Sequence, residues 1–245
     1  MDHRDIDVPN ETLDLLKVLG TPTLSGELLE AGYRNHYMIG PEPLAVAPNQ
    51  RMVGRARTLR FINMREDLLE AQYTSLAASP HRSALENVGP GDVLVIDAGG
   101  SLEAAVVGDM FTRRIMQRGA MGLVIDGVLR DLSTIRSLGL PVFARGRHGS
   151  GITRALVSVG MDEPVQCGGV PVIRGDVLVG DEDGVVVIPP QIAAVLARDA
   201  YEHQEEEIWI REKLKEGFSL HDVYPPNEEM RKALEEWKAS RTPQA

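Results

Sequence analysis

Lysine is nearly missing from the middle of this chain. The five lysines are Lys17, Lys213, Lys215, Lys232 and Lys238, and none falls between residues 18 and 212. A region without an amine cannot form a Schiff base with a carbonyl substrate or with pyridoxal phosphate. It also has no G-x-x-x-x-G-K-[ST] phosphate loop. Carbonyl chemistry there must be electrophilic, by a metal or by arginine. Cysteine is scarcer still: Cys167 stands alone, which excludes an intramolecular disulfide and a zinc-type cysteine cluster. Aromatics make up 4% of the chain, and Trp209 and Trp237 fall in helical C-terminal sequence, where packing of an interface explains them better than base stacking. No apolar run approaches the roughly 20 residues of a membrane span, and Met1-Asp2-His3-Arg4 opens no signal peptide. Basic residues are outnumbered 26 to 36, for a net charge of −10. Nucleic acid needs a basic stripe, so it is not an expected partner. The expectation is a soluble cytoplasmic protein with no membrane association.

What is present has an order. With 245 residues, 43% hydrophobic and 25% charged, the chain suits one sizeable core. Residues 9–19 and 23–31 read as short amphipathic helices, with Asn10 as N-cap of the first. The Pro- and Gly-rich stretch 33–50 is expected to wander over the surface or over a neighbouring subunit. Residues 51–62 suit a half-buried strand, and helices are expected at 66–77 and 81–87. From residue 91 strand and helix alternate: GDVLVIDAGG and AAVVG as two strands, DMFTRRIMQRG as a helix stopped by Gly119, then MGLVIDG, LSTIRSL and PVFARG. Units of this length imply parallel pairing. After residue 150 the pattern turns to strands, with a DEDG hairpin, and 191–216 form a long charged helix before a helical, fraying tail. The pentapeptide GDVLV occurs at 91–95 and again at 175–179; a shared turn-into-strand solution explains it better than duplication.

Two loops carry charge where strands run into helices, the place where open α/β sheets bind ligands. In 107-VGDMF-111, Gly108 frees the backbone and Asp109 begins a helix whose first N–H groups can receive a carboxylate. In 126-DGVLRD-131, Arg130 and Asp131 follow an apolar run. Taken singly, either aspartate suits an N-cap. If the strands ending at Gly108 and Gly127 are neighbours, both carboxylates approach one pocket, and hard oxygen ligands favour Mg²⁺ or Mn²⁺. Arg130 can fork a substrate carboxylate or pair with Asp131, although adjacent side chains usually point apart. His148, after Arg145 and Arg147, either lines the site or sits in a solvated loop. His36 and His81 fall in Pro/Gly-containing loops without ligand spacing, and 97-DAGGS-101 is a weak glycine match to a methyltransferase.

The run GDVLVID…VVGDMFTRRIMQRGAMGLVIDGVLRDLSTIRSLGLPVFARG resembles proteins related to regulator of ribonuclease activity A, a group that includes divalent-metal-dependent 4-hydroxy-4-methyl-2-oxoglutarate aldolases. The likeness is concentrated in residues 91–146 and continues more loosely to about residue 217. The resemblance implies an α/β fold, a compact β/β/α sandwich of the swivelling-domain type. It implies a core domain over 51–217, with an N-terminal extension (1–50) and a C-terminal helical tail (218–245). The substrate loop would be Gly108, Asp109, Met110 and Phe111, whose amides hold a pyruvyl carboxylate. Arg130 would be the substrate arginine and Asp131 the metal ligand, with Asp109 reaching the Mg²⁺ or Mn²⁺ through water. Glu206 or Glu207 of a neighbouring subunit would complete the shell in a homotrimer or homohexamer. One departure stands out: Thr134 occupies a position where the family often has an acid.

The implied function is a lyase acting on a 2-oxo acid through a pyruvate enolate, by aldol cleavage or oxaloacetate decarboxylation. Arg130 and Asp109 would be its catalytic residues. The competing reading is a non-catalytic protein that binds and inhibits a ribonuclease complex.

Overall fold

The computed structural model describes residues 3, 5–74 and 79–240. The last residues of the expected 66–77 helix, and the end of the fraying tail, lie outside the described residues. The chain opens with helices α1 (Asn10–Leu16) and α2 (Thr21–Glu30). Asn10 is not the N-cap of α1: Pro9 takes that place, with no side-chain cap, because its fixed φ of −54° is already compatible with the turn. The stretch 33–50 is more ordered than expected. Strand β1 (Glu42–Ala45) within it pairs antiparallel with a later strand, and Tyr37 bridges to Val186.

Next come β2 (Met52–Asn63), α3 (Glu66–Thr74) and α4 (Pro80–Asn87), then β3 (Asp92–Val107). The two expected strands at 91–100 and 104–108 are one irregular strand. Gly99 and Gly100 take positive φ, and the register to its neighbour slips there instead of the strand ending. No helix begins at 97-DAGGS-101, which removes the methyltransferase reading of that motif. Helix α5 (Asp109–Gln117) ends as expected at Gly119 (φ +93°). The Gly119 N–H bonds the Met116 carbonyl and the Ala120 N–H that of Ile115, the two bonds of a Schellman stop.

Strand β4 (Gly122–Leu129), α6 (Leu132–Arg136) and β5 (Val142–Arg147) complete the alternating part. Strands β6 (Leu156–Met161), β7 (Val165–Cys167), β8 (Val170–Val172), β9 (Val177–Gly180) and β10 (Val185–Ile188) follow, with the expected hairpin between β9 and β10. Helices α7 (Ala193–Lys215), α8 (Leu220–Val223) and α9 (Glu228–Ser240) close the described chain.

The sheet runs β1-β5-β4-β3-β2-β9-β10, with β6 also on β2. The β2–β3, β3–β4 and β4–β5 pairs are parallel, as the alternation requires. Long β2 gives its first half to β9 and its second half to β6. Alternate residues of β3 serve opposite layers. Leu94 and Ile96 pack with Leu85, Ile115 and Ile135 of the helices. Val93 and Val95 pack with Phe143 and with Val165, Cys167 and Val172 of the β7–β8 hairpin. The order hairpin, sheet, helices is the expected β/β/α sandwich. It also explains why every residue of β4 is buried: both faces are covered. A further cluster joins Leu16, Leu24 and Leu28 to Val179, Ile188 and Ala197, so α1 and α2 pack on α7 and the end of the sheet.

The repeated GDVLV is one local solution used twice. Gly91 and Gly175 both take positive φ, and each following aspartate bonds back three residues through its carboxylate, Asp92 to the Gly89 N–H (2.8 Å) and Asp176 to the Ile173 N–H (2.8 Å).

Candidate functional site

The parallel register places Val107 of β3 opposite Leu129 of β4, so the loops leaving these two strands are neighbours. Gly127 does not end its strand as expected. It lies inside β4 opposite Ser101, where a Cβ would come within 2.8 Å of the Ala98 methyl, and the strand continues to Leu129.

Neither aspartate caps a helix. Gly108 is the N-cap of α5, and Asp109 is its first helical residue. Asp131 stands at the N-cap position of α6 but in left-handed conformation (φ 59°, ψ 31°), and its side chain makes no cap bond. Aspartate tolerates this conformation better than most residues, yet it remains a cost. The conformation turns the carboxylate back across the neighbouring loop. Asp131 Oδ2 lies 3.4 Å from the Asp109 amide nitrogen and 3.5 Å from Arg130 Nε. The expectation that Arg130 and Asp131 point apart is therefore overturned, the left-handed turn being the cause. Their contact is long and half exposed, with side-chain exposures of 51% and 42%, which makes it a weak ion pair.

Gly108 keeps the space between the loops open. A Cβ there would sit 2.6 Å from Asp131 Oδ2 and 3.0 Å from Arg130 Nε. Asp109 contacts Arg113 one turn along (3.5 Å), and the Met110 side chain is exposed. Behind Gly108 and Arg130 opens a cleft of about 240 Å³, walled by β3, α4, Phe111 of α5 and the turn at 151–153. Asp109, Met110 and Asp131 lie beside this cleft and do not line it.

Among the described residues no group of three His, Cys, Asp or Glu side chains could hold a metal. Two carboxylates stand on the adjacent loops, Asp131 with Oδ2 toward the Asp109 backbone amide and Asp109 with its carboxylate toward Arg113. That donor set fits a hard cation such as Mg²⁺, which keeps several waters and takes one or two protein carboxylates. Glu206 and Glu207 are not near this place. Both lie on α7, Glu206 against Lys238 (3.9 Å) and Glu207 bonded to Arg211 (2.9 Å).

His148 is not in the cleft wall; its Nδ1 accepts the Ser150 N–H (3.1 Å). Arg145 is turned to Asp126 and to the Ile39 carbonyl. Trp209 is buried with Val223, Met230 and Leu234 of its own chain.

Sequence reading missed His81. It is not in a loop but is the second residue of α4, 3% exposed, in the wall of the cleft. Burial, helped by the Arg82 charge, pushes its pKa down to about 4, against a weaker opposing effect of the Val106 backbone. The available signal was Ser79-Pro80, a proline in the first turn of a helix.

A mixed α/β sandwich with its charged loops at the carboxyl ends of neighbouring parallel strands defines the class. The model of the RraA-like family (Aldolase/RraA) matches residues 21–187, and the chain belongs to that family. A Halalkalibacterium halodurans protein, whose name of 4-hydroxy-4-methyl-2-oxoglutarate aldolase is itself provisional, is 36% identical over 141 residues. That match spans 58% of this chain and 61% of the relative. Among solved structures, Streptomyces coelicolor RraAS2, described as an unusual member of the RNase ES inhibitor RraA protein family, has a TM-score of 0.75 at 35% identity. It covers 83% of this chain and 97% of its own. An uncharacterized protein from Pseudomonas syringae pv. tomato also has a TM-score of 0.75, at 27% identity, covering 89% and 98%. No helix among the described residues is long and apolar enough to cross a membrane.

Proposed function

We propose that this chain is a divalent-metal-dependent carbon–carbon lyase that cleaves a 2-oxo acid through a pyruvate enolate. The observation that carries the proposal is the meeting of Gly108, Asp109, Arg130 and Asp131 at two adjacent strand ends, with Asp131 held in a costly conformation that serves no cap. Function-bearing strain of this kind collects at ligand sites. The identity to the aldolase relative supports the reaction class.

The first N–H groups of α5, at Asp109, Met110 and Phe111, are unpaired within the helix and suit the pyruvyl carboxylate. Arg130 positions the same substrate and offsets the negative charge that develops as the C3–C4 bond breaks. Asp131 would hold Mg²⁺ or Mn²⁺, with Asp109 in its outer shell. A cation held there supplies positive charge beside the 2-oxo group. In an aldol cleavage Asp109 would take the proton of the 4-hydroxyl as the C3–C4 bond breaks and return a proton to C3 of the enolate to give pyruvate, and in a decarboxylation the C3 proton would come from water. The central region has no lysine, so these residues work without a Schiff base. In this proposal the working unit is 51–217, flanked by 1–50 and 218–245. Glu206 or Glu207 from a neighbouring copy completes the shell in a trimer or hexamer.

A screen of 2-oxo acids with Mg²⁺, read by lactate dehydrogenase-coupled pyruvate detection, tests the reading. Metal-dependent pyruvate release that EDTA abolishes is expected; turnover that survives EDTA refutes it. The likeness to RraAS2 favours one other reading, a protein that binds and inhibits a ribonuclease complex. Association with a ribonuclease, together with no pyruvate release from any 2-oxo acid, would select that reading.

A further inference from the structure

The cleft behind Arg130 holds a second guanidinium. Arg82 lines it together with Leu69, Phe111 and Ile152, and no carboxylate does. Arg82 is exposed, and among the described residues it makes no ion pair and no hydrogen bond. Other exposed arginines differ: Arg60 faces Glu163 (3.3 Å), Arg113 faces Asp109 (3.5 Å), and Arg114 bonds Glu86 through Nε (3.0 Å). With 36 acidic residues against 26 basic ones, the chain has acids to spare, yet none meets Arg82.

The position of Arg82 makes its isolation more unfavourable. It is the third residue of α4, whose first turn has no acidic residue. The first turn of a helix carries partial positive charge and disfavours a cation. Arg130, in the same cleft, adds a full positive charge. The adjacent His81 offsets nothing: burial, and then the Arg82 charge itself, push its pKa down to about 4, so the ring is neutral. Two guanidinium groups and a helix start thus share a partly apolar cleft with no counter-charge, and an anion entering it relieves all of them.

We propose that Arg82 holds the substrate carboxylate on the far side of the C3–C4 bond, and that this contact directs the site to aldol cleavage over decarboxylation. This rests on the lyase reading above, in which Arg130 and the first amides of α5 hold the pyruvyl end. The two reactions treat the far carboxylate differently. In aldol cleavage of 4-hydroxy-4-methyl-2-oxoglutarate the hydroxyl gives up its proton and the C3–C4 bonding pair passes into the enolate. The far carboxylate leaves intact on the second pyruvate, with its charge unchanged. Arg82 then binds substrate and transition state equally, which lowers KM and leaves the barrier alone.

In decarboxylation of oxaloacetate the far carboxylate is itself the leaving group. Its negative charge passes through the breaking C3–C4 bond into the enolate, and it departs as neutral CO₂. The contact with Arg82 is strongest in the ground state and fades toward the transition state, so it raises the barrier.

The test measures kcat and KM for both compounds, with Mg²⁺ present, in wild type, Arg82→Gln and Arg82→Lys. Arg82→Gln is expected to raise KM for the hydroxy acid by about 3- to 10-fold, less than a charge-assisted hydrogen bond can give because Arg82 is exposed. The same variant is expected to raise kcat for oxaloacetate by a similar factor, a gain that loss of folded protein cannot produce. Arg82→Lys keeps the charge without the fork and is expected to fall between the two. An unchanged KM for the hydroxy acid, an oxaloacetate kcat that does not rise, or wild type turning over oxaloacetate alone overturns the inference and leaves the lyase reading standing. Failure of wild type to release pyruvate from either compound overturns both.

Discussion

Acid should weaken this fold through one identifiable side chain. His81 has an ordinary pKa of 6.5 when unfolded and about 4 when folded, because its buried ring must shed the charge. A folded pKa below the unfolded one means that the unfolded chain binds the proton first. The stabilisation is complete above about pH 6.5 and is lost as pH falls toward about 4. Between about pH 7.5 and about pH 5 the two titrations differ by roughly 2 kcal/mol, at about 1.4 kcal/mol per tenfold change in proton binding. Carboxylates add their own pH dependence, so wild type alone does not isolate the effect. Urea unfolding of wild type and His81→Phe at both pH values does, because the remaining groups are common to the two proteins. The gap between wild type and variant should shift by about 2 kcal/mol toward the variant on acidification. A gap that stays constant with pH refutes the assignment of a buried, uncharged His81.

Three further outcomes follow from the geometry. Gly108→Ala puts a methyl 2.6 Å from Asp131 Oδ2, so pyruvate release should fall by about 10- to 100-fold with little change in urea midpoint, because the displaced groups are half exposed. Asp131→Gly should abolish pyruvate release while raising stability by about 0.5–1 kcal/mol in urea unfolding, since glycine accepts φ 59° without strain. Thr21→Val removes the buried hydroxyl that donates to Asp181 (2.7 Å) and should cost about 1–3 kcal/mol, measured by the same unfolding, while leaving pyruvate release intact.

Much of the fold was legible because its signals are local and periodic. The alternation from residue 91, the Gly119 stop and the DEDG hairpin each follow from a few neighbouring residues, and the pairing of β3 with β4 follows from their order. What stayed hidden depends on distant partners. Two consecutive glycines read as the end of a strand, but Gly99 and Gly100 are held by pairing to β4 on both sides. Strand β1 has no strand-like alternation; pairing with β5 makes it one. At the site, the sequence pointed to Gly108, Asp109, Arg130 and Asp131 as candidates, and the fold brings them together. It did not reveal the left-handed turn at Asp131, for which aspartate's tolerance of that conformation is too weak a signal, and so it misjudged the Arg130–Asp131 contact. His81 looked idle beside Pro80, because only tertiary packing between Phe61 and Phe111 buries it at the cleft.

The most direct test of the central claim is pyruvate release, with Mg²⁺ present, by Arg130→Ala and Asp131→Ala beside wild type. Arg130 is about half exposed, so Arg130→Ala should keep a urea midpoint close to wild type, and Asp131→Ala should lose about 1 kcal/mol because alanine tolerates the left-handed turn less well than aspartate. Each should lose pyruvate release by more than about 100-fold, as loss of a group that offsets developing charge requires. Either variant turning over at the wild-type rate would contradict the account.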